Sequence, residues 1–401
     1  MAGDQPFASG FNGLARAQAS LPAAWYSDPD QYAREMAAIW TRSWLPFCRT
    51  GDLPDDGTYH AGELAGRNIV AVRKPGGDLA AFHNVCRHRG AEMCAAGSGR
   101  LQRPLLVCPY HAWAYDLAGR LVATGPARAV QGFDRARHPL LPVGIATWGG
   151  FIFINLAGGS QADFEAALGA ELAPLANWPL DTLEVAHVDT REIACNWKVF
   201  WENFNECLHC PGIHPDLCDL VPIYGRGIMV REDDPDWRSH AGETAPRWSG
   251  ALRDGAATWA DGGLAQGQPL PGLSEADVAR GHTYGVALPG IFVVGHVDYV
   301  RAVTVTPLGP QRMRLTATWF LPPGRRDEPG FDLERITRFA IRVLGEDAAA
   351  CELNQRGLAS APFEAGTLMQ EEYEVYAFHR WVRARLGEGE AAGSRAGRRA
   401  R

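Results

Sequence analysis

Residues 83–90 read HNVCRHRG and residues 108–120 read CPYHAWAYDLAGR. Cys86 and His88 form a Cys-x-His pair, and Cys108 and His111 a Cys-x-x-His pair. Each pair closes a tight loop that carries one thiolate and one imidazole. Four thiolates suit ordinary iron–sulfur clusters or zinc, whereas two thiolates and two imidazoles suit a [2Fe–2S] cluster with histidines on one iron. Two neutral ligands in place of two anions lower the cluster's negative charge, so it accepts an electron more readily. Such clusters have potentials of roughly −150 to +300 mV, against about −400 mV for all-cysteine plant-type ferredoxins. The pattern therefore predicts a protein that moves electrons. Zinc takes the same residue types, but zinc fingers pair Cys with Cys and His with His.

The flanks extend the pattern. Short β-rich runs, NIVAVR (68–73), AAFHNV (80–85), LLVC (105–108) and FIFINL (151–156), alternate with Gly, Pro and Asp turns. They predict a small all-β domain with the four ligands in its turns. Both ligand loops and their surroundings resemble the Rieske domain of the Rieske non-haem iron oxygenases. That resemblance implies Cys86 and Cys108 on one iron and His88 and His111 on the other. Two departures stand out: nineteen residues separate His88 from Cys108, and Ala112 occupies a position where glycine is usual. The extra length falls in the Gly/Ser/Arg stretch 97–103, where insertion is cheap.

The chain has 401 residues, enough for two domains with sizeable cores. A hydrophobic content of 46% and thirteen tryptophans argue for a well-packed globular protein. The formal net charge of −7 gives no reason to expect nucleic-acid or acidic-membrane binding. Nine cysteines form no regular framework, no charged-then-apolar leader opens the chain, and no run is long enough to span a bilayer. The expectation is a cytoplasmic, reducing location with thiols free or on iron.

Residues 28–41 and 161–177 read as helices, and helix signals return at 196–210, 327–358 and 366–386, around β-rich stretches at 284–306 and 313–321. The fold expected is α+β. A helical segment over 1–44 packs on the catalytic domain, a Rieske domain spans 45–160, and a catalytic domain spans 161–386. In the last, an antiparallel sheet surrounds a mononuclear iron, and 387–401 is a flexible tail.

Residues 196–215 read NWKVFWENFNECLHCPGIHP. Glu206 and His209 lie three apart, which on a helix puts them on one face. His214 follows Pro211-Gly212, read here as the end of that helix. Two histidines from one helix–turn supply two sides of a metal, and a carboxylate completes the facial triad of non-haem Fe(II) oxygenases. The segment GEDAAACELNQRGL (345–358) offers Glu346, Asp347 and Glu352. Both segments resemble motifs of the same family, Asn-Trp-Lys…Glu-Asn…His-x₄-His and a late acidic motif followed by Gln-x-Gly-Leu. Carried over by position, the resemblance implies His209, His214 and Asp347 as iron ligands, with Glu346 the alternative if the register shifts by one. It implies for Glu206 a bridge from the cluster ligand His111 of one subunit to His209 of the next. A carboxylate accepting an imidazole N–H also fixes the tautomer and raises ligand basicity.

The resemblance thus implies a terminal oxygenase with one [2Fe–2S] cluster and one mononuclear Fe(II) per subunit. Electrons come from NAD(P)H through a flavin-containing reductase, with or without a ferredoxin, and O₂ is the oxidant. A homotrimer is implied. The small-molecule substrate is either aromatic, as in aromatic hydrocarbon catabolism, or a quaternary amine that is hydroxylated or N-demethylated. The Glu-Cys-x-His-Cys form at Glu206 resembles the betaine-oxidising branch. Tyr224, Tyr284, Phe292 and Trp319 are candidate pocket linings, and His296 and Asp298 could approach the pocket. Cys207 and Cys210 read as packed thiols rather than a redox pair or zinc half-site. Two other classes stay open at this point: a Rieske electron carrier without oxygenase activity, and a zinc-stabilised binding protein.

Overall fold

The computed structural model describes residues 10–128, 130–360 and 362–388. Nearly all of the tail expected over 387–401, and the first nine residues of the helical segment expected over 1–44, lie outside the described residues. The chain forms two compact units: one is Trp40–Glu171 with Ala287–Ile291, and the other holds residues through Ile39, Leu172–Val286 and from Phe292 onward.

The first unit is built on ten strands: β1 (Leu45–Arg49), β2 (Thr58–Leu64), β3 (Arg67–Arg73), β4 (Leu79–His83), β5 (Gly97–Arg100), β6 (Leu105–Val107), β7 (Trp113–Asp116), β8 (Leu121–Thr124), β9 (Gly144–Trp148) and β10 (Phe151–Asn155). They form sheets of order β9-β10-β1, β4-β3-β2-β5 and β6-β7-β8. In β3, Ile69, Val70, Ala71 and Val72 are all buried. Successive strand side chains point to opposite faces. Val70 and Val72 accordingly pack with Phe82, Trp113 and Tyr115, while Ile69 and Ala71 pack with Val143, Ile152 and Ile154. A continuous apolar run thus serves two cores from one strand. The Cys86–His88 loop follows β4, and the Cys108–His111 loop joins β6 to β7.

The second unit centres on five strands: β11 (Glu184–Ile193), β12 (His282–Ala287), β13 (Ile291–His296), β14 (Val300–Gly309) and β15 (Arg312–Leu321), in the order β11-β15-β14-β13-β12. The β11–β15 and β14–β15 pairs are antiparallel. The same unit holds α1 (Pro29–Ala38), α2 (Trp197–Phe204), α3 (Leu333–Leu358) and α4 (Tyr373–Arg385). Asn196 caps α2 by accepting a hydrogen bond from the Lys198 N–H. Asp332 caps α3 in the same way, so that helix begins at Leu333 rather than 327. In α3, Ile336, Phe339, Ala340, Val343 and Leu344 are buried at spacings of three and four, the inward stripe of an amphipathic helix.

One expected element is shorter than the sequence suggests. The helix read over 196–210 ends at Phe204, and a new helical turn, Cys210–Ile213, starts after a non-helical stretch. Pro211 explains the break. It has no N–H for a helical bond to the carbonyl four residues earlier, but it is tolerated in a first turn. Pro211-Gly212 therefore sits inside the restarted turn, and Glu206 and His209 meet through a loop rather than along one helix face.

Candidate metal centres

The cluster loops are closed by their own backbones. The Cys86 N–H donates to Ala91 O (2.8 Å) and the Gly90 N–H to Cys86 O (3.0 Å), while the Cys108 N–H donates to Trp113 O (2.8 Å) and the Ala112 N–H to Cys108 O (3.0 Å). Buried Asn84 pins the first loop: its Oδ1 accepts from the Cys94 N–H (3.0 Å) and its Nδ2 donates to Cys94 O (2.7 Å). Ala112 has φ +55°, a left-handed conformation, which explains why glycine suits this position. Gly125 lies against the same loop, where a Cβ would come within 2.3 Å of His111 O.

Cys86 and Cys108 are both buried, and the rings of His88 and His111 lie with centroids 4.7 Å apart. His88 also stacks on Trp113 at 4.7 Å and 9°. The Tyr115 hydroxyl lies 3.4 Å from Cys86 Sγ and accepts the Arg87 N–H at 2.9 Å, so its own proton is free for the sulfur. Two inward thiols, two neighbouring imidazoles and a hydroxyl on a sulfur fit a [2Fe–2S] cluster.

In the second unit, side chains of His209, His214 and Asp347 offer nitrogen and oxygen atoms all within 4.8 Å of one another. His214 Nε2 is 2.9 Å and His209 Nε2 3.5 Å from Asp347 Oδ1. The opposite ring nitrogens face other carboxylates: His209 Nδ1 donates to Glu206 Oε1 (2.6 Å), and His214 Nδ1 to Glu346 Oε2 (2.8 Å). With each Nδ1 proton committed, both Nε2 lone pairs point at an anionic oxygen. Three donors converging in this way need a cation or protons between them. In the protein alone, protons respond. Burial would lower the His209 pKa, but Asp347 and Glu206 outweigh it and raise it to about 9. Burial would raise the Asp347 carboxyl, but hydrogen bonds with His209 and His214 hold it below the usual carboxylate range. The donor set therefore fits a divalent metal ion.

The geometry separates the two adjacent acids of α3. Asp347 faces both histidines through Nε2, whereas Glu346 supports His214 from its far side. Glu352 points elsewhere, accepting the Ala194 N–H at 3.0 Å. Glu206 Oε2 also accepts from the backbone N–H groups of Leu208 and of His209. Asn203 Nδ2 lies 3.4 Å from His209 Nε2.

Cys207 and Cys210 correct an expectation: they form a disulfide rather than two packed thiols. The bend between Phe204 and the Cys210–Ile213 turn brings their Cα atoms to 5.0 Å, within disulfide range. Of the candidate lining residues, Tyr224 and Tyr284 join a cluster with Trp259 and Phe339, which sequence reading missed. Phe292 lies tilted against Phe204 at the end of α2 (4.3 Å), and Trp319 lies beside His187 (5.3 Å).

Residues 43–134 match the model of the Rieske [2Fe–2S] domain, and residues 180–388 match that of the ring hydroxylating alpha subunit (catalytic domain). The chain is 31% identical over 386 residues to the glycine betaine monooxygenase oxygenase subunit of Chromohalobacter salexigens, covering 90% of this chain and 84% of that one. It is 33% identical over 206 residues to the carnitine monooxygenase oxygenase subunit of Escherichia coli, covering 51% and 54%. Among solved structures it is similar to a quaternary ammonium Rieske monooxygenase (TM-score 0.64, 21% identity, 92% and 95% covered). It is also similar to naphthalene 1,2-dioxygenase from Rhodococcus sp. (TM-score 0.65, 19% identity, 92% and 95% covered). A cluster domain of this kind joined to a ring-hydroxylating catalytic domain places the chain in the Rieske non-haem iron oxygenases, as a terminal oxygenase α subunit.

Proposed function

We propose that this oxygenase subunit oxidises a quaternary amine, with Cys86, His88, Cys108 and His111 holding its cluster and His209, His214 and Asp347 holding its mononuclear iron. The observation that carries the iron assignment is the convergence of two Nε2 atoms on Asp347 Oδ1 while both Nδ1 protons are held by other carboxylates. When loaded, the two centres supply single electrons and open metal positions for dioxygen. The chain's own residues do the rest. Glu206 and Glu346 fix the histidine tautomers and raise their basicity. Asp347, on the rigid helix α3, sets the third ligand direction.

Glu206 is also the proposed link to His111 of a neighbouring subunit, since a carboxylate oxygen that accepts one hydrogen bond keeps a further lone pair. That role requires an oligomer, for which a homotrimer is the arrangement proposed. A reductase supplies the electrons. No helix among the described residues is long and apolar enough to cross a membrane, and a cytoplasmic location is proposed.

The substrate class rests on the relatives together with the aromatic cluster of Tyr224, Trp259, Tyr284 and Phe339, whose ring faces suit a trimethylammonium group. The test is reductase-coupled O₂ uptake with glycine betaine, carnitine, choline and naphthalene. The reading expects uptake and oxidised or N-demethylated product with an amine. Turnover of naphthalene alone would instead establish the aromatic reading.

A further inference from the structure

Trp259 stands at the centre of buried polar groups that the metal centres do not use. Its ring lies 6.4, 6.2 and 6.3 Å from those of Tyr224, Tyr284 and Phe339. Phe339, Val343 and Asp347 follow at intervals of four along one face of α3. At about 1.5 Å per residue, Phe339 stands about 12 Å along the axis from Asp347. On its other side Trp259 meets His282 (5.0 Å), His296 (5.6 Å) and the Arg301 guanidinium (5.9 Å).

Arg301 is 4% exposed and His296 fully buried. Yet among the described residues Arg301 Nε and Nη1, Trp259 Nε1, His282 Nδ1 and both ring nitrogens of His296 have no hydrogen-bond partner. Trp319, opposite Arg301 in the β14–β15 register, also has an Nε1 with no partner among the described residues. The cation that acts on the Asp298 carboxyl is Arg325 rather than Arg301; Asp298 Oδ2 accepts the Gln266 N–H (2.8 Å), while its Oδ1 has no partner among the described residues. Burial, and then the charge of Arg301, hold the His296 pKa well below its usual range. Burial similarly lowers His282 to about 4. A guanidinium taken out of water needs an opposite charge; the unused nitrogens of Trp259 and Trp319 beside it are donors, and neutral His296 offers one donor and one uncharged acceptor.

We propose that Arg301, with His296 beside it, is a carboxylate anchor at the far end of the substrate pocket, selecting quaternary amines that carry a carboxylate. The proposal rests on the amine reading above and names which amines. The anchor holds the carboxylate while the ring faces of Tyr224, Tyr284, Trp259 and Phe339 take the cationic head nearer the iron. A quaternary amine without a carboxylate brings a second positive charge and no partner for Arg301. A neutral arene also leaves the guanidinium unpaired, and a site built to bind a polar group rejects analogues that lack it.

Glycine betaine and choline test this directly, because they differ only in a carboxylate against a carbinol. Binding of each to the loaded enzyme is measured by calorimetry for the wild type, Arg301→Gln and Arg301→Lys, with the thermal midpoint and the iron held beyond the cluster as the checks on folding of the catalytic unit. The wild type should prefer glycine betaine on the order of 100-fold, the effect of an ion-paired hydrogen bond where choline offers only a neutral hydroxyl. Arg301→Gln should bring the two ligands to within about twofold, by weakening glycine betaine while choline binds as well as before or better, its like-charge repulsion removed. Arg301→Lys, a point charge without the planar fork, should fall between them. An unchanged betaine-to-choline ratio in either folded variant, or equal weakening of both ligands, overturns the anchor and leaves the amine reading standing. Binding of naphthalene but of neither amine by the wild type overturns both. If Arg301→Gln fails to fold by those checks, Arg301→Lys decides, and full betaine preference in it refutes the proposal.

Discussion

Replacing Lys198 with methionine should destabilise the catalytic unit severely, and the structure sets the size of the effect. Lys198 and Glu35 are both fully buried. Lys198 Nζ donates to Glu35 Oε1 and Oε2 (2.8 Å each), to Asn196 Oδ1 (2.8 Å) and to Trp25 O (3.0 Å). Glu35 additionally accepts from Trp197 Nε1 (2.8 Å) and Gln31 Nε2 (3.0 Å). Methionine keeps the volume but leaves a buried carboxylate with two neutral donors, a defect of about 3–5 kcal/mol. At roughly 2–4 °C per kcal/mol for a unit of this size, the midpoint should fall by about 6–20 °C. Asn196 caps α2, whose end leads to the Glu206–His209 loop, so iron occupancy should fall below the melting transition. Removing both charges, in Lys198→Met with Glu35→Leu, should restore most of the stability, because replacing a whole buried pair is often neutral. Differential scanning calorimetry of the singles and the double measures this. A Lys198→Met midpoint within about 2 °C of wild type, or a double variant no better than the single, would refute the reasoning.

Three other outcomes follow from named contacts. Ala112→Gly should raise stability by about 0.5–1 kcal/mol, because the left-handed φ strains any residue with a Cβ; slower thermal bleaching of the cluster would show it. Tyr115→Phe removes the hydroxyl beside Cys86 Sγ, and should lower the cluster potential by roughly 60 mV, about tenfold in a one-electron equilibrium, measured by redox titration. In iron-free protein the folded His209 pKa, about 9, exceeds the ordinary value of 6.5. Its contribution is therefore full below pH 6.5 and lost as pH rises towards 9. The melting midpoint should drop over that window, and His209→Ala should remove part of the drop.

The parts of this molecule carried by local chemistry are legible in the sequence. Cys86, His88, Cys108 and His111 sit in short loops closed by their own backbones, so spacing alone describes them. The run at 68–73 announces a strand buried on both faces. The span of α2 is overestimated because helix formers continue past Phe204, while Pro211 permits only a fresh start. The Cys207–Cys210 bond depends on that bend. The pairing of Glu346 with one ring nitrogen and Asp347 with the other needs the crossing of α3 over the His214 turn, 132 residues away in sequence. Arg301 leaves one trace, a charge inside the apolar alternation of VRAVTV. Its unpaired state emerges only once Trp259, His282 and His296 are brought around it.

The most direct test is metal, sulfide and EPR analysis of anaerobically purified wild type and His209→Ala. The account predicts three irons and two sulfides per wild-type chain, with a Rieske signal after dithionite reduction. In His209→Ala it predicts loss of one iron and of oxygenase activity, with the sulfide and the Rieske signal intact. Full iron content and activity in that variant would contradict the assignment of the iron to His209, His214 and Asp347.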